Sequence, residues 1–392
     1  MKLKPRQSFA TLAVVLLLTA SLTFAHTGTQ TADTPEPIRV GVLLDLSGQT
    51  SAFGVSLRNG IQLAADQIND AGGVGGRRVQ LFFEDDKGQP VLARDAAAKL
   101  IRETKVHALL GEVASSNSLA AAPVAQEAGI PLIMPASTNV RVTQVGDYIF
   151  RSCFTDPFQG ELLAKFAVHT LKARRVAVLA DVNSDYSRGI VETFTSKFKA
   201  LGGRITITQG YTQTDTDFAA QLVAIRATKP DAIFVPGYYE QAGIIAKQAK
   251  QLGMKQPLLG GDGWDAPQLW QLGGAALNGS YMSNHYALED PRPSNQMFVV
   301  EYREKYKQAP DAIAALGYDA LGLLVEAIRR AGTTSARELR DAIAQTRNYA
   351  GVTGATDINA TRDAVKPGII FKLQDGKFIY HETIEPDSSN GN

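Results

Sequence analysis

The stretch "PLLGGDGWD", Pro257 to Asp265, begins as an apolar strand would and then sets a carboxylate, Asp262, between Gly261 and Gly263. An acid on backbone without flanking side chains can be approached closely by a cationic group. The complementary chemistry lies in "EVASSN", where Ser115, Ser116 and Asn117 stand at the expected start of a helix. The first N–H groups of a helix lack partners inside it and sit at the positive end of its dipole, so they can accept an anion. A zwitterion could use both ends. Groups that would transform a substrate do not assemble: no G-x-x-x-x-G-K-[ST] loop occurs, and "GGVGGRR" follows a helix rather than a strand. The histidines at 26, 107, 169, 285 and 381 have no metal-ligand spacing, and no G-x-S-x-G elbow is present. The chain is expected to be no enzyme and to carry neither metal nor cofactor.

An internal repeat positions these segments. "VGVLLDLSG" from Val40 and "VAVLADVNS" from Val176 are apolar runs ending in Asp and turn residues. Each leads to a helical stretch closed by a glycine pair, "GIQLAADQINDAGG" from Gly60 and "GIVETFTSKFKALGG" from Gly189. The parallel continues through "RVQLFFED" against "RITITQGY", "HALLGEVASS" against "DAIFVPGYYE", and "IPLIMPASTN" against "QPLLGGDGWD". Strands alternating with helices predict parallel sheets covered on both faces, with ligands beyond the carboxyl ends of the strands. The repeat pairs "EVASS" with "GYYEQ", "PAST" with "GGDG", and Phe53 with Tyr186. If two such lobes face each other, these loops wall a cleft. Beyond the repeat, "DAIAALGYDALGLLVEAIRRAG" reads as a helix ending at Gly332, Ser335 and Glu338 as a capping box, and "GIIFKL" with "GKFIYHETI" as a hairpin.

Composition sets the compartment and the partners. The 392 residues are 44% hydrophobic and 20% charged, as in a soluble globular protein large enough for two domain-sized cores. Lys2, Lys4 and Arg6 precede the uncharged run "FATLAVVLLLTASLTF" and small residues near Ala25, the pattern of a cleaved signal peptide. Losing those three leaves 37 basic residues against 39 acidic, a net charge of −2, which argues against a nucleic-acid partner. The lone Cys153 can form no internal disulfide, and no cysteine follows the run to take a lipid.

The order "VGVLLDLSGQTSAFG", "INDAGGVGGRRV", "EDD", "GEVASSNSLAAAPVAQEAGIPLIMPAST" and "GYDA" resembles the type I periplasmic binding proteins of the leucine/isoleucine/valine-binding family, the solute receptors of ABC importers. The resemblance runs from about Ile38 to about Ile384. It implies an α/β fold of two similar lobes, each a parallel-sheet sandwich, joined by three hinge crossings near residues 155, 286 and 366. It also implies that Ser115 meets a ligand carboxylate, that Ala136, Ser137 and Thr138 offer carbonyl and hydroxyl groups, and that Phe53, Tyr186 and Tyr238 are aromatic walls. Asp262 then takes the ligand ammonium. Two departures stand out: Asp262 lies where branched-chain binders usually carry Glu, and Ala114 where a cysteine often stands.

The expected organisation is a signal peptide over 1–25, a linker over 26–37, one lobe from 38–155 with 286–366, a second from 156–285 with 367–385, and a tail over 386–392. The expected function is an exported, periplasmic, monomeric solute-binding protein that takes a small branched-chain or aliphatic amino acid in the interlobe cleft and delivers it to the membrane subunits of an ABC importer. The competing reading is a ligand-sensing module of the same fold, taking an amide, an aromatic acid or another small solute and acting with a receptor or chemoreceptor. A receptor ectodomain would need a membrane span, and a cytoplasmic regulator would lack the export signal.

Overall fold

A computed structural model describes residues 35–386. The expected signal peptide, most of the expected linker and the end of the expected tail lie outside the described residues. Strands β1 (Ile38–Leu44), β2 (Val79–Asp85), β3 (Ala108–Leu110), β4 (Leu132–Met134) and β5 (Ile149–Arg151) form a parallel sheet in the order β2-β1-β3-β4-β5. β1 is buried on both faces at nearly every residue, which is why its sequence is continuously apolar rather than alternating. The crossovers are α1 (Ser51–Asp70), α2 (Pro90–Lys99) and α3 (Ser115–Ala128).

After β5 the chain passes through Ser152–Thr155 into α4 (Asp156–His169), whose first turn is capped by the Thr155 hydroxyl. The second sheet follows, with β6 (Arg175–Asp181), α5 (Asp185–Ala200), β7 (Arg204–Tyr211), α6 (Ala219–Ala227), β8 (Ala232–Phe234), α7 (Tyr239–Gln251), β9 (Leu258–Gly260), α8 (Pro267–Gly273) and β10 (Tyr281–Asn284). Its parallel strands run β7-β6-β8-β9-β10, the order of the first sheet repeated. The sequence repeat is thus a repeat of topology, and each half has its switch point beside its first strand.

The chain returns through His285–Arg292 to α9 (Pro293–Tyr306), α10 (Ala312–Ala331) and α11 (Ala336–Ala344). α10 lies against α1 so closely that a Cβ at Gly60 would sit 1.9 Å from the Ala314 carbonyl oxygen, and one at Gly317 2.7 Å from that of Leu57. A small antiparallel sheet of β11 (Tyr349–Gly351), β12 (Gly354–Ile358) and β13 (Ala364–Val365) comes next. The third passage, at Lys366, leads to β14 (Gly368–Gln374) and β15 (Lys377–Ile384), which extend the second sheet antiparallel beyond β10.

Three details differ from the sequence expectation. α1 begins at Ser51, well before Gly60, so Phe53 stands in a helical first turn rather than a loop, and Tyr186 does the same in α5. The Ser335 hydroxyl bonds the Glu338 carboxylate and caps no backbone N–H, so the capping box is side chain to side chain. The three-stranded sheet was not expected, because its strands are two to five residues long and give no sustained alternation. Among the described residues no helix is long and apolar enough to cross a membrane.

Candidate functional site

Buried acids at the strand ends set the loops. Asp45, after β1, accepts from Gly48 N at 2.5 Å, Thr50 N at 2.8 Å and the Thr50 hydroxyl at 2.7 Å, turning the chain into α1. Glu112, after β3, accepts from Asp45 N at 3.0 Å and Ala114 N at 3.1 Å, tying the two loops together. Burial holds the Glu112 carboxyl well above the usual carboxylate range, and Asp86 adds to the effect. The second half echoes the first: Asp181 accepts from Asn183 N at 2.9 Å, and the Ser184 hydroxyl caps α5 on Ser187 N.

These turns bring Phe53, Ala136, Tyr186, Tyr238 and Asp262 around one narrow cavity, completed by Val113, Gly263 and Ile313. Tyr186 and Tyr238 stack with centroids 5.5 Å apart, and Phe53 meets Tyr238 edge-on at 6.0 Å. The wall is thus apolar on most sides and carries one acid. Ser115, Ser137 and Thr138 lie buried beside it rather than on its surface. The Ser115 hydroxyl accepts from Asn139 N at 3.3 Å, and that of Ser137 donates to Glu112 O at 2.8 Å. The Thr138 hydroxyl and both carboxyl oxygens of Asp156 are buried without a hydrogen-bond partner. Asp156 N donates to Thr138 O at 2.9 Å, and burial pushes the Asp156 carboxyl up to about 8.

Asp262 opens a single 3-10 turn whose Trp264 ring is buried under it. The flanking glycines answer to the protein itself. A Cβ at Gly261 would fall 2.2 Å from the Tyr186 hydroxyl and 2.7 Å from Gln159 Oε1, and one at Gly263 2.7 Å from Gly237 O. Asp262 is only 6% exposed, so it is no partly exposed turn acid. Its Oδ1 accepts from Gln159 Nε2 at 2.8 Å, and its Oδ2 lies 2.9 Å from His285 Nε2. His285 stacks on Phe154 with ring centroids 3.5 Å apart, and its burial outweighs the pull of Asp262 to lower its pKa. A neutral ring must then carry its proton on Nε2 to donate to Asp262.

Gln159 and His285 are the site residues that sequence reasoning missed. Gln159 lies within α4 and His285 on the second passage between sheets, so neither falls in a loop after a β-α strand of the repeat. The arrangement sets one buried carboxylate among apolar and aromatic walls, where a small cationic group could pair with it. Among the described residues no three His, Cys, Asp or Glu are grouped to hold a metal.

The family described as periplasmic binding protein matches residues 37–377. The leucine binding protein LivK of Thermotoga maritima is 40% identical, with a TM-score of 0.86 over 89% of this chain and 99% of its own. The branched-chain amino acid transporter substrate binding protein LivJ of Streptococcus pneumoniae, solved with isoleucine, is 33% identical with a TM-score of 0.85, over 89% and 100%. A Leu/Ile/Val-binding protein homolog 3 from Brucella melitensis is 27% identical over 93% of this chain and 99% of its own length.

Proposed function

The chain belongs to the periplasmic binding protein family, and from that premise we propose that it is the exported receptor of an ABC importer for a small aliphatic amino acid. The observation that carries this reading is the cavity between the two sheets' loops, with three aromatic rings, aliphatic side chains and one buried carboxylate. Asp262 holds the ammonium, the rings cover the side chain, and the start of α3 with Ser115 and Thr138 holds the carboxylate. We propose the lobes as 38–155 with 286–366 and 156–285 with 367–385. A ligand touching both favours their closed arrangement. The membrane subunits then read the closed form, and the receptor works as a monomer in the periplasm.

The test is a thermal-shift screen of leucine, isoleucine and valine against their amides and against benzoates, because saturation at ~100 times the dissociation constant adds about 2.7 kcal/mol of stability. A shift from the free amino acids alone supports the reading, and a shift from benzoates alone replaces it with the aromatic-acid sensor or importer. Asp262→Asn is the variant of choice, since Asp262→Ala would strand Gln159 and His285 without their acceptor at a cost of about 1–3 kcal/mol. Calorimetry with the shifting amino acid should show at least a ~30-fold loss for Asp262→Asn, the lower end of breaking a buried charge pair. Near-native affinity would leave Asp262 as part of the turn only.

A further inference from the structure

The residues assigned to the ligand have neighbours in sequence that find one another instead. Ser116 follows Ser115, Asn139 follows Thr138, and Asp185 precedes Tyr186. The Ser116 hydroxyl donates to Asp185 Oδ2 at 2.9 Å and accepts from Asp185 N at 3.1 Å. Asn139 Nδ2 donates to the Asp185 carbonyl at 2.8 Å, and the Arg141 guanidinium reaches Asp185 Oδ1 at 3.0 Å. Ser116, Asn139 and Arg141 belong to the β3 and β4 loops of the first sheet, and Asp185 starts α5 of the second. Four contacts from one sheet's loops therefore converge on a single residue of the other, outside the cavity.

From this convergence we propose that Asp185 is a latch across the cleft, an affinity-setting residue that holds the lobes together without touching the ligand. The proposal rests on the reading that the ligand lies between the lobes. Within its own lobe Asp185 also pairs with Arg188 at 2.5 Å, a contact that survives opening and so does not discriminate between states. Arg141 is 64% exposed on its side chain, so its share is screened by water and salt, and the Ser116 and Asn139 bonds carry most of the hold. The alternation has a mechanical consequence. A ligand that pulls Ser115, Thr138 and Tyr186 into place also brings Ser116, Asn139 and Asp185 into register, so the latch adds to every ligand the cleft accepts and selects among none.

The latch acts on the closed state alone, so it should appear in dissociation. With L-leucine as the probe in stopped flow, Asp185→Ala and Ser116→Ala should each release it roughly tenfold faster, the effect of losing about 1.4 kcal/mol, while association stays within about twofold. The double variant should lose less than the two single losses combined, because both remove the hydrogen bond between the Ser116 hydroxyl and the Asp185 carboxylate. Unchanged release, or strictly additive losses, would overturn the latch. A second arm needs no ligand, and so separates this proposal from the amino-acid reading. Ser116→Cys with Asp185→Cys should cross-link on mild oxidation even in the empty protein, since closure is sampled without ligand. Cys153 will not interfere, as it is buried with its thiol pushed up to about 12. If leucine fails to bind wild type, the amino-acid reading falls while a cross-link still upholds the latch. No cross-link, with or without leucine, overturns it.

Discussion

Under the proposed reading, in which Asp262 takes the ligand's ammonium, it serves that cation well only while its own partners stay uncharged. Gln159 is neutral at any pH, and His285 is kept neutral by burial against Phe154. Once His285 takes a proton, the pair with Asp262 has no net charge, and the ligand's cation loses its counter-ion. The folded pKa lies below the ordinary His value, so the neutral imidazole is secure above about pH 6.5 and is lost as the pH falls through the lowered value. Affinity for the amino acid is therefore expected to drop as the pH falls below the ordinary histidine value and through the lowered one. His285→Gln, which keeps a donor and cannot be charged, should remove that acid limb. Titration calorimetry at several pH values decides it: an acid limb persisting in His285→Gln assigns the titration elsewhere. His285 could not be read from sequence as a partner of Asp262, because a histidine on a connection between sheets has no periodicity to mark it.

Elements were more legible than their ends. The repeated apolar runs gave the strands, and the repeated order gave two equivalent sheets, because a buried parallel strand must be apolar throughout and its crossover must follow. The repeat marked the loops, the resemblance to the leucine/isoleucine/valine-binding family singled out residues in them, and five of those, Phe53, Ala136, Tyr186, Tyr238 and Asp262, share one cavity. What the pattern hid was close packing. The segment "SAFGVSLRNG" looks like a turn-rich loop, with glycine and serine spread along it, yet it is the first half of α1. Its glycines are there for approach to other chain segments: Gly54 lets α1 begin against Asp45, where a Cβ would lie 1.8 Å from the Asp45 carbonyl oxygen, and Gly60 lets α10 lie on α1. Glycine costs a helix interior about 1 kcal/mol relative to alanine, so Gly60→Ala would stabilise an isolated α1. In the folded protein the added methyl must displace the α10 backbone, and the variant is expected to be destabilised by about 1–3 kcal/mol or more. Chemical denaturation measures this, and a more stable Gly60→Ala would show that the two helices are free to separate.

At the scale of the whole molecule, the compact arrangement gathers carboxyl groups that water would otherwise keep apart. Asp265 follows β9 in the second sheet, and its Oδ2 accepts from Ala312 N at 2.8 Å, at the start of α10 on the first. Asp311, the residue before, caps α10 on Ala314 N at 2.8 Å and is bonded by the Ser56 hydroxyl. Burial raises both carboxyls, and the charge of Asp265 adds to the rise at Asp311, which reaches about 7 against the opposing bonds from Ser56 and Ala314. Asn284 and Ala312 N oppose the rise at Asp265. Opening the cleft would part the two acids and admit water, returning each toward the ordinary value near 4. The closed state then binds more protons than the open one between about pH 4 and 7. A raised folded value contributes fully below the ordinary one and is lost as the pH rises through the raised one, so closure weakens toward alkaline pH. Ligand affinity should accordingly fall as the pH rises from about 4 to about 7 and level off above that, opposite in sign to the His285 effect, with proton uptake on binding across that window. Calorimetry in two buffers of different ionisation heat counts those protons. Asp311→Asn keeps a good helix cap and removes the charge, so it should take up fewer protons and lose most of that decline. If Asp311→Asn takes up as many protons as wild type, the cross-cleft pair is not what couples closure to pH.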